Sequence, residues 1–149
     1  MIFNRLMHHK PLSIWIAYSD NLTTWQDSRI IMTPTKGAGN WDGATIGSAC
    51  PPIRTEKGWL LIYHGVDEEG VYRLGVALLD LNDTSQVIER YPDPILEPEE
   101  DYELRGEVHE VVFGCGICEI KGKYFVYYGA ANKVICGAAV EKQKLMALV

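Results

Sequence analysis

The sequence predicts an all-β fold of about two and a half four-stranded antiparallel blades, as in part of a β-propeller. Two observations predict it. The first is an internal repeat. Pro52-Ile53 leads through a polar turn to Gly58-Trp59-Leu60-Leu61-Ile62-Tyr63-His64-Gly65, and Gly116-Ile117 leads to Gly122-Lys123-Tyr124-Phe125-Val126-Tyr127-Tyr128-Gly129. The offset, 122 minus 58, is 64 residues, and Ile53/Ile117, Tyr63/Tyr127 and Gly65/Gly129 keep it. That period is too long for one helical repeat and suits one blade with long loops. The second observation is a series of period-2 runs rich in β-branched and aromatic residues, punctuated by Gly, Pro, Asn and Asp.

Taken in order, the runs predict strands over Ser13–Ser19, Arg29–Thr33, Gly47–Arg54 and Trp59–His64. Val71–Leu79, Val111–Ile120, Lys123–Tyr128 and Val134–Val140 follow. Ile14–Ala17, Leu74–Ala77 and Ile135–Ala138 each place small residues in an apolar strand, which allows close packing near a crowded axis. Asp80–Asp101, with Pro92, Pro94 and Pro98, reads as a polar crossing between blades. Glu141–Val149 reads as a short terminal helix or a fraying end.

The 149 residues fall within the usual size of one domain, residues 1–149, and 47% hydrophobic content is enough to build a core. A net charge of −6 argues against a nucleic-acid or anionic-membrane surface. No apolar run approaches the length of a spanning helix, and no signal peptide follows Met1. Cys115 and Cys118 have CxxC spacing, but no second pair completes a zinc site, so no metal is expected. With Cys50 and Cys136 they read as buried structural thiols, and reduced thiols fit a cytoplasmic protein.

The motifs are specific. Ser13-Ile14-Trp15-Ile16-Ala17-Tyr18-Ser19-Asp20, Trp41-Asp42-Gly43-Ala44-Thr45-Ile46-Gly47 and Gly58–Val66 resemble segments of glycoside hydrolase family 130. So do Tyr72-Arg73-Leu74-Gly75, Pro94-Ile95-Leu96-Glu97-Pro98, Val111-Val112-Phe113 and Tyr127-Tyr128-Gly129-Ala130-Ala131. They cover nearly the whole chain in order. The resemblance implies a five-bladed propeller acting on β-mannosides. It implies inverting phosphorolysis to mannose 1-phosphate, as in β-1,4-mannosyl-glucose and mannoside phosphorylases, with hydrolysis in a smaller group. Inorganic phosphate is then a co-substrate, and no other cofactor is implied. The general-acid aspartate and two phosphate-binding arginines are implied to precede this sequence. On that reading residues 1–149 are the C-terminal part of the propeller, inactive alone and prone to self-association through open edges.

By the same resemblance His64 is a phosphate contact, with Thr45 and Arg73 beside it; Trp41, Asp42, Tyr128, Asn132, Glu107 and His109 are substrate-binding candidates. A strand-end histidine can donate to an oxyanion. Thr45 stands where the phosphorylases usually carry lysine, and its neutral hydroxyl raises the hydrolase reading. Lys10 keeps the charge of the usual arginine but not its fork. Asn132 replaces a sugar-binding aspartate. Trp41 and Asp42 read either as a sugar platform and hydroxyl acceptor or as a turn with the ring packed over it. Arg73 reads either as an oxyanion holder or as one half of a structural ion pair. Glu107, His109 and Glu110 suit either paired-carboxylate chemistry or a charged loop. A β-mannosidase and a non-catalytic sugar-binding module remain the alternatives to a phosphorylase.

Overall fold

The computed structural model describes residues 2–4, through their backbone, and residues 8–149. Three antiparallel sheets follow one another along the chain. The first contains β1 (Ile2–Asn4), β2 (Ile14–Tyr18) and β3 (Gln26–Met32). The second has the order β4 (Thr45–Ser48), β6 (Trp59–Val66), β7 (Tyr72–Leu79) and β8 (Val87–Arg90), with β5 (Ile53–Arg54) also paired to β6. The third is β9 (Val112–Ile120), β10 (Lys123–Ala130) and β11 (Val134–Glu141), with β10 in the centre. Two short helices, α1 (Asp101–Leu104) and α2 (Lys142–Met146), complete the description. No helix among the described residues is long and apolar enough to cross a membrane.

The two copies of the repeat become β6 and β10, each flanked by an antiparallel strand on either side. Gly58 and Gly122 open them with positive φ, and a Cβ on Gly58 would lie 2.3 Å from the Leu79 carbonyl oxygen. A side chain at that turn would force β7 away from β6.

Four expectations are corrected. Gly47–Arg54 is not one strand but β4 and β5, because Pro51 and Pro52 have no N–H to give to the ladder. Asp80–Asp101 is not only a crossing. Asp80 folds the chain back by accepting from the N–H groups of Asn82 and Asp83, both 2.8 Å, and β8 then pairs with β7. The three prolines fall after β8. Only the second sheet has four strand positions; the first and third have three among the described residues. The cysteines are not uniformly buried: Cys50 is, Cys118 and Cys136 are half-buried, and Cys115 is exposed.

The end of the chain is helical and anchored. Leu145 of α2 is 2% exposed, and Lys57 Nζ donates to the carbonyls of Met146 (3.0 Å) and Val149 (2.7 Å).

Alternation along β6 sends successive side chains to opposite faces of the second sheet. Leu61 and Tyr63 pack with Ile14, Met32, Ala77 and Leu79 against the first sheet. Leu60 and Ile62 pack with Leu74, Val76, Val112, Tyr124 and Val126 against the third. Each fully buried aliphatic chain stabilises this arrangement by about 1.5–3 kcal/mol. The second sheet is therefore apolar on both faces, and two cores flank it.

Candidate functional site

Register divides the candidate residues between those two faces. His64 pairs with Gly47 and Leu74, so it lies on the face toward the third sheet. Thr45 pairs with Val66 and is the diagonal neighbour of His64 on that face. Arg73 pairs with Gly65, so it belongs to the opposite face, with Tyr63.

The side toward the third sheet forms a cleft of about 340 Å³. Tyr72, Val108, Val111, Phe113, Cys115, Gly129 and Asn132 line it. Phe113 is the hinge between cleft and core: its ring centroid lies 4.6 Å from that of His64 and 6.3 Å from that of Tyr72. His64 is 3% exposed, so it sits beneath this aromatic layer rather than in the open cleft. At the rim, Asn132 Nδ2 donates to Glu107 Oε2 at 3.1 Å. His109 is exposed on the same loop as Glu107. Aromatic faces beside an amide and a carboxylate suit a ligand with an apolar face and hydroxyl edges.

A β-bulge between Tyr127 and Tyr128 places both Gly114 and Cys115 opposite one stretch of β10. Gly114 lets the third sheet approach closely; a Cβ there would be 2.7 Å from Ala49 Cβ. Cys50, buried beside this contact, has its thiol pushed up to about 12, chiefly by desolvation and then by the neighbouring Cys115. It is a neutral packing group.

Four candidates, Asp42, Trp41, Arg73 and Tyr128, take structural partners and do not line the cleft. Asp42 is 2% exposed and accepts from Tyr63 Oη at 3.0 Å and from Arg90 Nη2. Arg90 also donates from Nε to Tyr63 Oη (3.1 Å) and from Nη1 to the Thr33 carbonyl (2.8 Å). Trp41 stacks on Tyr63 with centroids 5.6 Å apart, and its Nε1 donates to the Pro92 carbonyl at 2.7 Å. This is the packed-ring arrangement, between the first and second sheets. Arg73 pairs with Asp67 of the β6–β7 turn at 2.6 Å and with Glu97, beyond β8, at 3.2 Å. Burial raises the Asp67 carboxyl, but the Arg73 hydrogen bond and the Val71 N–H outweigh it and hold its pKa below the ordinary value. Tyr128 is 4% exposed, and its hydroxyl donates to Glu103 Oε1 at 2.6 Å. Burial first and Glu103 second keep that hydroxyl protonated far above its ordinary range.

Tyr72, Phe113, Arg90 and Glu103 carry parts of this geometry without having been singled out in the sequence as site residues. Phe113 and Tyr72 lay inside matching motifs, which was the available signal. Among the described residues, no cluster of three His, Cys, Asp or Glu could hold a metal ion.

Consecutive antiparallel sheets, with an aromatic- and amide-lined cleft between two of them, place the chain among all-β proteins. All of residues 1–149 match glycoside hydrolase family 130, described as beta-1,4-mannooligosaccharide phosphorylase, and the chain belongs to that family. It is 55% identical over 140 residues to a β-1,2-mannobiose phosphorylase of Thermoanaerobacter sp. strain X514, covering 94% of this chain and 46% of that protein. It is 32% identical to the β-1,4-mannooligosaccharide phosphorylase of Ruminococcus albus, covering 85% of this chain and 39% of that one. It superposes with a TM-score of 0.90 and 38% identity on the β-1,2-mannobiose phosphorylase of Listeria innocua, solved in complex with β-1,2-mannobiose. That superposition covers 98% of this chain and 41% of the other. The chain thus spans less than half the length of these relatives.

Proposed function

We propose that residues 1–149 form part of a five-bladed propeller that cleaves β-mannosides with inorganic phosphate, and that the linkage is β-1,2. The cleft between the second and third sheets carries the reading. There Tyr72 and Phe113 supply apolar surface, Asn132 and Glu107 supply hydroxyl partners, and His64 lies directly beneath. Membership of a family described by phosphorolysis supports it, as does the 55% identity to a β-1,2-mannobiose phosphorylase.

In this proposal a phosphate oxygen attacks the anomeric carbon from the face opposite the leaving group. The glycosidic C–O bond breaks, and the departing oxygen takes a proton from an aspartate contributed from outside residues 1–149. His64 and Thr45, diagonal on one sheet face, offer donors on the phosphate side. Arg73 is not part of this set, since Asp67 and Glu97 hold it on the other face. Without a general acid the chain alone binds sugar and does not turn it over. The second reading, hydrolysis, is favoured by Thr45, whose hydroxyl brings no charge to the phosphate side.

The experiment is product analysis with β-1,2-mannobiose, with and without phosphate, on a protein that carries this chain within a whole propeller. Mannose 1-phosphate is expected, at a rate that saturates with phosphate. Free mannose at a rate independent of phosphate would replace the proposal with the hydrolase reading.

A further inference from the structure

One wall of the cleft is a loop, residues 105–110, that has no regular structure of its own and carries Glu107 and Val108. It is held in place by backbone hydrogen bonds. The Val108 N–H donates to the Ala131 carbonyl (3.3 Å), and the Ala131 N–H donates to the Val111 carbonyl (3.0 Å). Gly106 lies so close to the turn after β10 that a Cβ would sit 2.1 Å from the Ala131 oxygen. That turn is itself strained: Ala131 and Asn132 have φ of 46° and 54°. Such conformations persist only where the surroundings over-determine them.

The base of the loop is fixed by one buried carboxylate. Glu103 is 3% exposed. Its Oε1 accepts from Tyr128 Oη at 2.6 Å, and its Oε2 accepts from the N–H groups of Glu99 and Glu100, both 2.9 Å. Its own carbonyl accepts from the Val111 N–H at 3.1 Å, at the far end of the loop. Tyr128 stands on β10 four residues before Asn132. The circuit runs from β10 through the tyrosine hydroxyl to Glu103, along the loop, and back to the Ala131-Asn132 turn. Charge-assisted hydrogen bonds in a buried setting are short, directional and strong enough to hold such a loop.

We infer that Glu103 and Tyr128 are positioning residues: they hold loop 105–110 against Ala131-Asn132 and so set the spacing of Glu107, Val108 and Asn132 across the mouth of the cleft. The inference rests on the proposed sugar-binding function for its consequence, though not for its geometry. Both side chains are buried and neither lines the cleft. A sugar whose hydroxyls must meet Asn132 and Glu107 together loses affinity when the loop is released.

The test uses the full chain and two variants, Tyr128→Phe and Glu103→Gln, with Ile14→Val in the other core as a control. The reporters are the Asn132 side-chain amide resonances, amide exchange at Val108 and Ala131, and the dissociation constant for β-1,2-mannobiose. Tyr128→Phe is expected to shift the Asn132 resonances, speed exchange at Val108 and weaken sugar binding about tenfold. Glu103→Gln keeps an acceptor for Tyr128 and loses the one for Glu99 and Glu100, so it should do the same and covers a failure of the first variant to fold. Ile14→Val should change none of these. Unshifted Asn132 resonances with unchanged Val108 exchange in both variants would overturn the inference, as would equal shifts in Ile14→Val. If the parent chain binds no mannobiose while the resonances still shift in Tyr128→Phe, the positioning role stands and the sugar-binding reading falls.

Discussion

Arg90→Met is the perturbation on which the packing of the first and second sheets can be judged. Arg90 enters that interface from the end of β8, with its side chain 22% exposed against 3% for Asp42. Three of its nitrogens are committed: Nη2 to Asp42, Nε to Tyr63 and Nη1 to the Thr33 carbonyl. Its guanidinium also lies 5.2 Å from the centre of the Tyr63 ring. Methionine keeps much of the apolar stem, so the packing loss is small and the electrostatic loss dominates. Asp42 then keeps one hydroxyl donor and loses its cation. Breaking one side of a buried ion pair costs about 3–5 kcal/mol. The partial exposure of Arg90 lets water reach Asp42 in the variant, which places the expectation at the lower end, about 3 kcal/mol. For a chain of this size that is a fall in melting temperature on the order of 10 °C. The assay is urea unfolding followed by tryptophan fluorescence, since Trp41 stacks on Tyr63 within the same cluster. Asp42→Asn in the Arg90→Met background removes the stranded charge, so the pair of substitutions should cost less than the two separate losses summed. A loss below about 1 kcal/mol for Arg90→Met, or strict additivity in the double variant, would refute the reasoning.

Three other outcomes follow from the same geometry. In a protein with a whole propeller, Thr45→Lys should strengthen the dependence of mannoside cleavage on phosphate, because a cation beside His64 attracts the anion; saturable dependence that the substitution leaves unchanged would remove Thr45 from the phosphate side. The outer face of the third sheet exposes Ile120, Tyr127 and Ile135, the last at 82%, so the isolated chain should associate, and Ile135→Lys should shift it toward monomer; sedimentation that shows a stable monomer for the parent would count against this. Glu103 and Asp67 are raised by burial but carried below the ordinary values of 4.5 and 3.8 by their hydrogen bonds, to Tyr128 and backbone N–H groups in one case and to Arg73 in the other. Depressed carboxylates contribute stability above the unfolded values and lose it as pH falls through the folded ones, so the melting temperature should hold down to about pH 5 and decline below about pH 4; a flat profile to about pH 2.5 would contradict both sets of contacts.

What the sequence determined by itself is the local and repeated part of this protein. Period-2 runs drew β2, β6, β7, β9, β10 and β11 within a few residues of their ends, because alternation is a property of neighbouring residues. Gly58 and Gly122 fixed the equivalence of β6 and β10, because a turn with positive φ demands a residue type that can be read directly. The matching segments that hold Tyr72 and Phe113 supply part of the cleft lining, together with Asn132. β8 escaped because Val87–Arg90 is short, half-exposed and carries Glu89 and Arg90, so it shows no apolar period. Only the tertiary structure decided which candidates share a space. Strand register put His64 and Thr45 on one face and Arg73 on the other, although Arg73 faces Gly65, the residue after His64, across the ladder. Arg90 reached Asp42 across 48 residues, and Tyr128 reached Glu103 across 25, each placing a candidate sugar ligand in a buried hydrogen bond. The physical reason is that a buried polar side chain takes whichever partner the packing of sheets brings to it, and that partner leaves no mark in the residues on either side.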